Sequence, residues 1–441
     1  VTLPAFPTQF GGEIIAPGSP EYEVARNTVY GRGEPLLVVR PLSAGDVALA
    51  VRYAVENDLV LSVRSGGHSS SGYGTNSGGL VIDLSGMRAI EVLDGGRVRI
   101  QGGALWGDIA TALQPHGLAL TSGDTLSVGV GGLTLGGGVG WLVRLHGLAL
   151  DSLVEAEVVT ADGETVTASE LVHPDLFWAL RGGGGNFGVV TAFTFQAHAL
   201  DGVIGGSIQF DLSSLESTIR GWRDAMRSAD DRLSTTLLAM PDFGPEMPAS
   251  VQVLVCWAGT DSAEAEAAIA PLLALPGAQG HTIEQKPYVA MLDEAHPPEG
   301  PITIVDNNSF SPRFDDEQVA ALVEAHAGFG AAVLMLRSFG GAFGRVAQDA
   351  TAFAFRDSEV LLISAAFLPA DAPSAEAERI RRVWASLPGT VSGKYGNFTS
   401  MTDNSAVDDF YPRATLDRLR SVKRQWDPRN IFRLNQNVVP Q

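Results

Sequence analysis

The stretch VRSGGHSSSGYG, residues 63–74, sets a single imidazole, His68, among glycines and serines. Residues without bulk let the backbone approach a ligand closely, and successive peptide N–H groups can neutralise a phosphate without any lysine. With the hydroxyls of Ser65, Ser69 and Ser70 beside them, the chemistry this loop suits is the holding of a pyrophosphate next to an imidazole. A second stretch, TSGDTLSVGVGGLTLGGGVGWL (121–142), has the same texture and could hold the other side of the same ligand. A third, RGGGGNFGVVTAF (181–193), formally satisfies G-x-G-x-x-G through Gly183, Gly185 and Gly188. The dinucleotide fingerprint needs a helix after its glycines, whereas VVTAFTFQ reads as a strand, so that reading is rejected. One such cluster could be a crowded turn; three in the first half of one chain point to a ligand.

Other chemistries lack an anchor. There is no G-x-x-x-x-G-K-[ST] loop, no H-E-x-x-H or i,i+4 histidine pair for zinc, and no G-x-S-x-G elbow for a serine nucleophile. No metal site is expected. A net charge of −20, from 30 basic against 50 acidic residues, repels nucleic acid and anionic membranes. The one cysteine, Cys256, sits in VQVLVCW, which reads as a buried strand, and it cannot form an internal disulfide. No apolar run reaches the ~18 residues of a membrane span. The opening VTLPAFPTQF lacks the order of a signal peptide, so a cytoplasmic location is expected, with secretion left open by the missing initiator Met.

The elements that must position these loops follow from apolar periodicity. Residues 35–64 read as strand, helix, strand, with Ser43 as N-cap. GGLVIDLSGM, AIEVLDGGRVRIQGG and SLVEAEVVTADGETVTAS read as strands, and LWGDIATALQPHG as a helix stopped near Pro115 and Gly117. Around Leu200 glycine thins out. Helical patterns such as SLESTIRGWRDAMRSA then alternate with strands such as SVQVLVCWA, AAVLMLRSF and EVLLISAAF, and the tail carries a helix, TLDRLRSVKRQW, before DPRNIFRLNQNVVPQ. The expectation is an α+β protein with a first domain over 1–199, a second over 200–400, and a segment 401–441 that docks back on the first.

Four ordered motifs, VRSGGHS, VGVGGLTLGGGVGWL, PDLFWALRGGGGNFGVVTAFTF and WDPRNIFRLNQNV, carry a resemblance that covers almost the whole chain. Together they resemble the berberine-bridge-enzyme-like branch of the vanillyl-alcohol oxidase flavoproteins, in spacing its short bacterial members. The resemblance implies an FAD domain of two α+β subdomains and a substrate domain whose antiparallel sheet is covered by helices. It also implies that His68 is joined to the flavin 8-methyl carbon. The cofactor-binding set it implies is Arg64, Ser65, Gly66, Gly67, His68, Ser69, Ser70, Thr125, Val128, Gly129, Gly132, Gly136, Gly137, Asn186, Gly188, Val190, Asn435 and Asn437, with Asn186 and Asn437 near the isoalloxazine. Many relatives carry a second, cysteinyl link in a C-P-x-V-G pattern. Here TLSVG puts Thr125 at that position, so one attachment and no cysteine link is expected. Val128, small where oxygen-excluding relatives have Leu or Ile, favours an oxidase.

In such a site the substrate carbon must be held near the ring while an adjacent O–H or N–H loses its proton. KYGNF offers Tyr395 and Asn397 at period-two spacing, as on one strand face, and a phenol near a cation would have a lowered pKa and could act as base. Arg337, a charge in the apolar strand LMLRSFGG, suits a pocket or an ion pair; Tyr395 is preferred as proton acceptor because arginine stays protonated. The expected activity is oxidation of a small alcohol, amine or phenolic compound, with molecular oxygen reduced to peroxide. A dehydrogenase using an organic acceptor and a carbohydrate oxidase of the same fold are the alternatives, and a homodimer is compatible with either.

Overall fold

The computed structural model describes residues 4–294, 302–389, 393–402 and 407–441. Three larger sheets organise it, beside a two-stranded pair of Leu118–Ala119 with His198–Ala199. In the first, Leu37–Arg40 and Leu61–Arg64 run parallel to Leu80–Asp83, which lies between them, and Glu13–Ile15 adds an antiparallel edge. The crossover is the helix Ala44–Glu56, which buries Val47, Ala50, Val51 and Ala54 against the sheet. Ser43 caps it, its Oγ accepting the Asp46 N–H at 3.1 Å. The parallel strand Leu61–Arg64 ends where the first glycine cluster begins, as a ligand loop at a strand's carboxyl end requires.

The second sheet is antiparallel, in the order Ile90–Val92, Arg97–Gln101, Val189–Gln196, Leu153–Val159, Thr165–Ser169. Its long central strand follows the third glycine cluster directly, which is why that cluster opens no helix. Val98, Ile100, Phe193 and Phe195 face a core shared with the helices Trp106–Leu113 and Pro174–Leu180. The C-terminal helix Arg413–Trp426 inserts Leu416, Leu419 and Val422 into this same core, so the tail packs far back along the chain.

The third sheet, of eight antiparallel strands, begins at Val203–Phe210 and includes Ser250–Ala258, Leu233–Met240, Ala332–Ser338, Val360–Pro369 and Ile302–Ser311. Strand alternation sends its side chains to two different cores. Val253, Val255 and Trp257 meet the helices Leu215–Arg227, Ser262–Leu273, Asp316–Ala327 and Ser374–Ala385. Cys256 and Ala258 point the opposite way, into a cluster with Trp141 and Leu142 of the second glycine stretch. The sheet is therefore covered by helices on one face and by the glycine-rich half on the other. Among the described residues, no helix is long and apolar enough to cross a membrane.

One local expectation fails. KYGNF is no strand: Gly396–Phe398 forms a tight 3₁₀ turn, because Asn308 clamps the chain there. The Asn308 Oδ1 accepts the Tyr395 N–H at 2.6 Å and its Nδ2 donates to the Phe398 carbonyl at 2.6 Å.

Candidate functional site

A cavity of about 380 Å³ forms where the three glycine clusters converge, closed by the 394–399 turn and residues 434–436 of the tail. Of the residues singled out from the sequence, Arg64, Ser65, Gly66, Gly67, His68, Ser69, Ser70, Thr125, Val128, Gly129, Gly132, Gly136, Gly188, Val190, Tyr395, Asn397 and Asn435 line it. Arg337, Gly137, Asn186 and Asn437 stand behind its wall instead.

Small residues are obligatory here for two separate reasons. A Cβ on Gly129 would lie 2.1 Å from Ser65 Oγ and 2.2 Å from Gly66 N, so the first and second clusters can touch only as glycines. At Gly132 and Gly185, by contrast, a Cβ would meet nothing within 4 Å, because the space beside them is the cavity. The N–H groups of Gly66, Gly67, His68 and Ser69 find no partner among the described residues. A run of unpaired N–H groups on a cavity wall is an anion cradle. The fit to a phosphate-bearing ligand thus rests on backbone dipoles; the strand arginine beneath is committed elsewhere. Arg64 donates to Asp83 Oδ2 at 2.8 Å and to the Asn27 carbonyl at 2.9 Å. Burial alone would raise the Asp83 carboxyl, but the Arg64 charge, helped by bonds from Arg64, Arg40 and the Ser85 N–H, holds it below the usual carboxylate range.

His68 is half-buried, with Nε2 3.0 Å from Ser127 Oγ and its ring edge-on to Tyr30. Burial lowers its pKa, so the imidazole is neutral at pH 7. Ser127 escaped sequence reading, although it lies inside TLSVG. Thr125 is on the wall at the place where a cysteine was considered, bridged in parallel to Asp293, and among the described residues no thiol lines the cavity.

Across the cavity, Tyr395 is buried, and its hydroxyl oxygen accepts from the Gly138 N–H at 2.9 Å and from Asn397 Nδ2 at 2.9 Å. Tyr395 and Asn397 do meet, through the tight turn rather than through a strand. The expected lowering of the phenol pKa is overturned. Burial raises it, outweighing the bonds from Gly138 and Asn397 and the charge of Arg337. With both acceptances filled, the O–H proton has no acceptor among the described residues.

Arg337 does not reach the cavity. Its guanidinium grips Asp124 with two N–H groups, one at 2.9 Å, and lies over the Trp141 ring with 5.4 Å to the centroid. Asp124 does line the cavity, so Arg337 acts through it as a positioning residue. Asp124, the one acid in a glycine-rich stretch, was the signal that could have found this pair. Lys394, also missed, lines the cavity and donates to Asp409 at 2.8 Å.

Asn186 belongs to the framework, whereas the buried Asn437 Oδ1 has no partner among the described residues. The Asn186 Nδ2 donates to the Gly183 and Gln436 carbonyls at 2.8 and 3.1 Å, and its Oδ1 accepts the Val438 N–H at 2.9 Å. It stitches the tail to the third glycine cluster, which brings Asn435 to the wall.

The geometry agrees with what the chain is similar to. A family model described as "FAD binding domain" matches residues 35–169, and one described as "Berberine and berberine like" matches 394–439. (R)-6-hydroxynicotine oxidase of Paenarthrobacter nicotinovorans is 34% identical, with 99% of this chain and 98% of that protein covered. The crystal structure of 6-hydroxy-D-nicotine oxidase from Arthrobacter nicotinovorans superposes with a TM-score of 0.86 at 31% identity, over 99% and 100% of the two chains. Glucooligosaccharide oxidase from Acremonium strictum, solved in a study of its 6-S-cysteinyl, 8α-N1-histidyl FAD, gives a TM-score of 0.84 at 25% identity, over 98% and 97%.

Proposed function

Because this chain belongs to the berberine-like FAD-linked oxidoreductases, we propose that it is an oxidase carrying FAD attached once, through His68, and acting on a small alcohol, amine or phenolic substrate. Residues 1–199 serve as the FAD domain, 200–400 as the substrate domain and 401–441 as a tail returned to the first. FAD held by the 65–69 loop would supply the oxidising ring for hydride removal, with molecular oxygen as the final electron acceptor. The remaining work falls to the chain.

The observation that carries this reading is the setting of His68. Its ring stands on the wall beside the unpaired peptide N–H groups, with Nε2 engaged by Ser127 at 3.0 Å. A donating Nε2–H leaves the lone pair on Nδ1, the nitrogen named in the N1-histidyl linkage of the similar glucooligosaccharide oxidase. A neutral ring is the form that can make the bond, and burial keeps it neutral. With Thr125 rather than cysteine opposite, one attachment is the consistent outcome.

Tyr395 is the group to take the substrate proton. It can do so only as the phenolate, which the two N–H donors on its oxygen stabilise and which burial keeps a minority form at neutral pH. The phenolate fraction therefore sets the rate at which the substrate proton is removed. Phe353, Phe355, Phe398 and Tyr411 give the wall an aromatic, apolar character that suits a compact substrate. The carbohydrate-oxidase alternative has similar relatives on its side.

The test is a screen of alcohols, amines, hydroxylated aromatics and oligosaccharides for bleaching of the flavin, with peroxide measured under air. Bleaching by an aromatic or small amine with stoichiometric peroxide is the expected result. Bleaching without peroxide would establish a dehydrogenase, and bleaching by oligosaccharides alone would replace the substrate class.

A further inference from the structure

A second cavity, of about 320 Å³, shares no lining residue with the first. It lies between the helix Leu215–Arg227, the turn after the strand Ala332–Ser338, the start of the strand Val360–Pro369, and Arg144 from the second glycine stretch's helix Val143–His146. Most of its polar wall is already committed. Arg223 pairs with Asp224 and Asp316, Arg227 with Glu359 at 2.5 Å, and Asp231 with Arg345 at 2.7 Å.

Arg144 differs. It is 3% exposed, and among the described residues no carboxylate lies within salt-bridge distance of it. Two of its nitrogens donate to main-chain carbonyls, those of Phe339 and, at 2.9 Å, Ala229. Its Nε–H and the hydroxyl of Ser358, 4% exposed, on the same wall are both sealed from solvent and have no partner among the described residues. The nearest acids, Asp230 and Asp231, act on it only at longer range, and burial pushes the guanidinium pKa down. A buried guanidinium facing neutral carbonyls and an empty donor position has its charge answered only by acids at longer range. Beside Ser338, much of the remaining wall is apolar: Trp222, Met226, Phe339 and Val360 are all buried.

We propose that this cavity is a second small-molecule site, which takes a short apolar carboxylate through Arg144 and Ser358. The carboxylate accepts the Nε–H and the hydroxyl proton, while its hydrocarbon part lies against Trp222 and Phe339. A neutral ligand would leave the charge answered only at longer range. Non-specific adsorption works against this anion, since the whole chain carries a net charge of −20.

The experiment is calorimetric titration of the holoenzyme with butyrate and, separately, butyramide, with the flavin absorbance followed in parallel. Butyrate should bind once per chain without altering the flavin spectrum, and butyramide ~10-fold or more weakly, as expected for loss of a charge-assisted hydrogen bond. Ser358→Ala should weaken butyrate ~10-fold, and Arg144→Gln should abolish it. Should Arg144→Gln fail to fold, Ser358→Ala alone decides. Absence of butyrate binding, equal binding by Ser358→Ala, or a flavin shift on binding, which would put the ligand in the first cavity, each overturns the proposal.

Discussion

The ammonium of Lys423 lies 2.7 Å from the main-chain carbonyl of Asn186, fully buried. Its other two protons go to Asp427 Oδ2 at 2.7 Å and the Phe432 carbonyl at 2.8 Å. A helix near the C-terminus is thereby locked to the third glycine cluster, and Asn186 carries the lock on to residues 436 and 438. Removing one partner of a buried ion pair typically costs about 3–5 kcal/mol. Lys423→Met should lower stability by that order in chemical unfolding and lower flavin retention with it. The double variant Lys423→Met/Asp427→Asn should recover part of the loss, since it leaves no unpaired charge.

His68→Ala should release its flavin on acid precipitation, and the unsubstituted protein should keep its colour in the pellet. Ser127→Ala, which frees Nε2, should leave a mixture of attached and loose flavin, read as two masses for the intact chain. Complete attachment in Ser127→Ala would separate the serine from the linkage.

Replacing Tyr395 by Phe removes the proposed proton acceptor and leaves the ring packing intact. Turnover should fall ~10²–10⁴-fold with substrate binding little changed, measured as kcat against KM. Because burial raises the pKa of this phenol, the rate should climb with pH through the neutral range instead of levelling off there. The variant should lose that slope.

Glycine substitutions in the second cluster should divide by the space available. Gly129→Ala drives a methyl into the backbone of the first cluster, 2.2 Å from Gly66 N, and should cost about 1–3 kcal/mol of stability. Gly132→Ala meets open space within the helix Val130–Gly136, so the fold should hold or gain about 0.5–1 kcal/mol. Its methyl enters the cavity, so FAD uptake should drop, a combination that unfolding and absorbance ratios detect together.

His146 and His198 stack with ring centroids 3.8 Å apart. Burial, and then the neighbouring ring, lower the His146 pKa from 6.5 to about 4. The unfolded chain therefore binds a proton that the folded chain refuses, and stability falls as the pH drops from 6.5 towards 4. His146→Phe should flatten this part of the melting-temperature profile.

Much of this architecture was legible where one residue type does one job. The alternation in VQVLVCWA, the Ser43 cap and the glycines leading into Val189–Gln196 each follow from local geometry, and each element formed where expected. What stayed hidden depends on pairs remote in sequence. Nothing near KYGNF says that Asn308, 87 residues earlier, will bend it into a turn. Arg337 could be read as half of an ion pair, but its partner lies 213 residues away, and only the fold reveals that Asp124, not the arginine, faces the cavity. Likewise a phenol beside a cation suggested a lowered pKa, and the burial that reverses it is a tertiary property.

The placement of Cys256 has a consequence for the working life of this catalyst. Its sulfur is wholly enclosed on an inner strand and burial pushes its thiol pKa up, so the reactive thiolate is scarce as well as shielded. Under the proposed oxidase reaction, the protein holds its single thiol out of reach of the peroxide it would generate. Inactivation during prolonged turnover should then start at flavin or methionine rather than at sulfenylated cysteine.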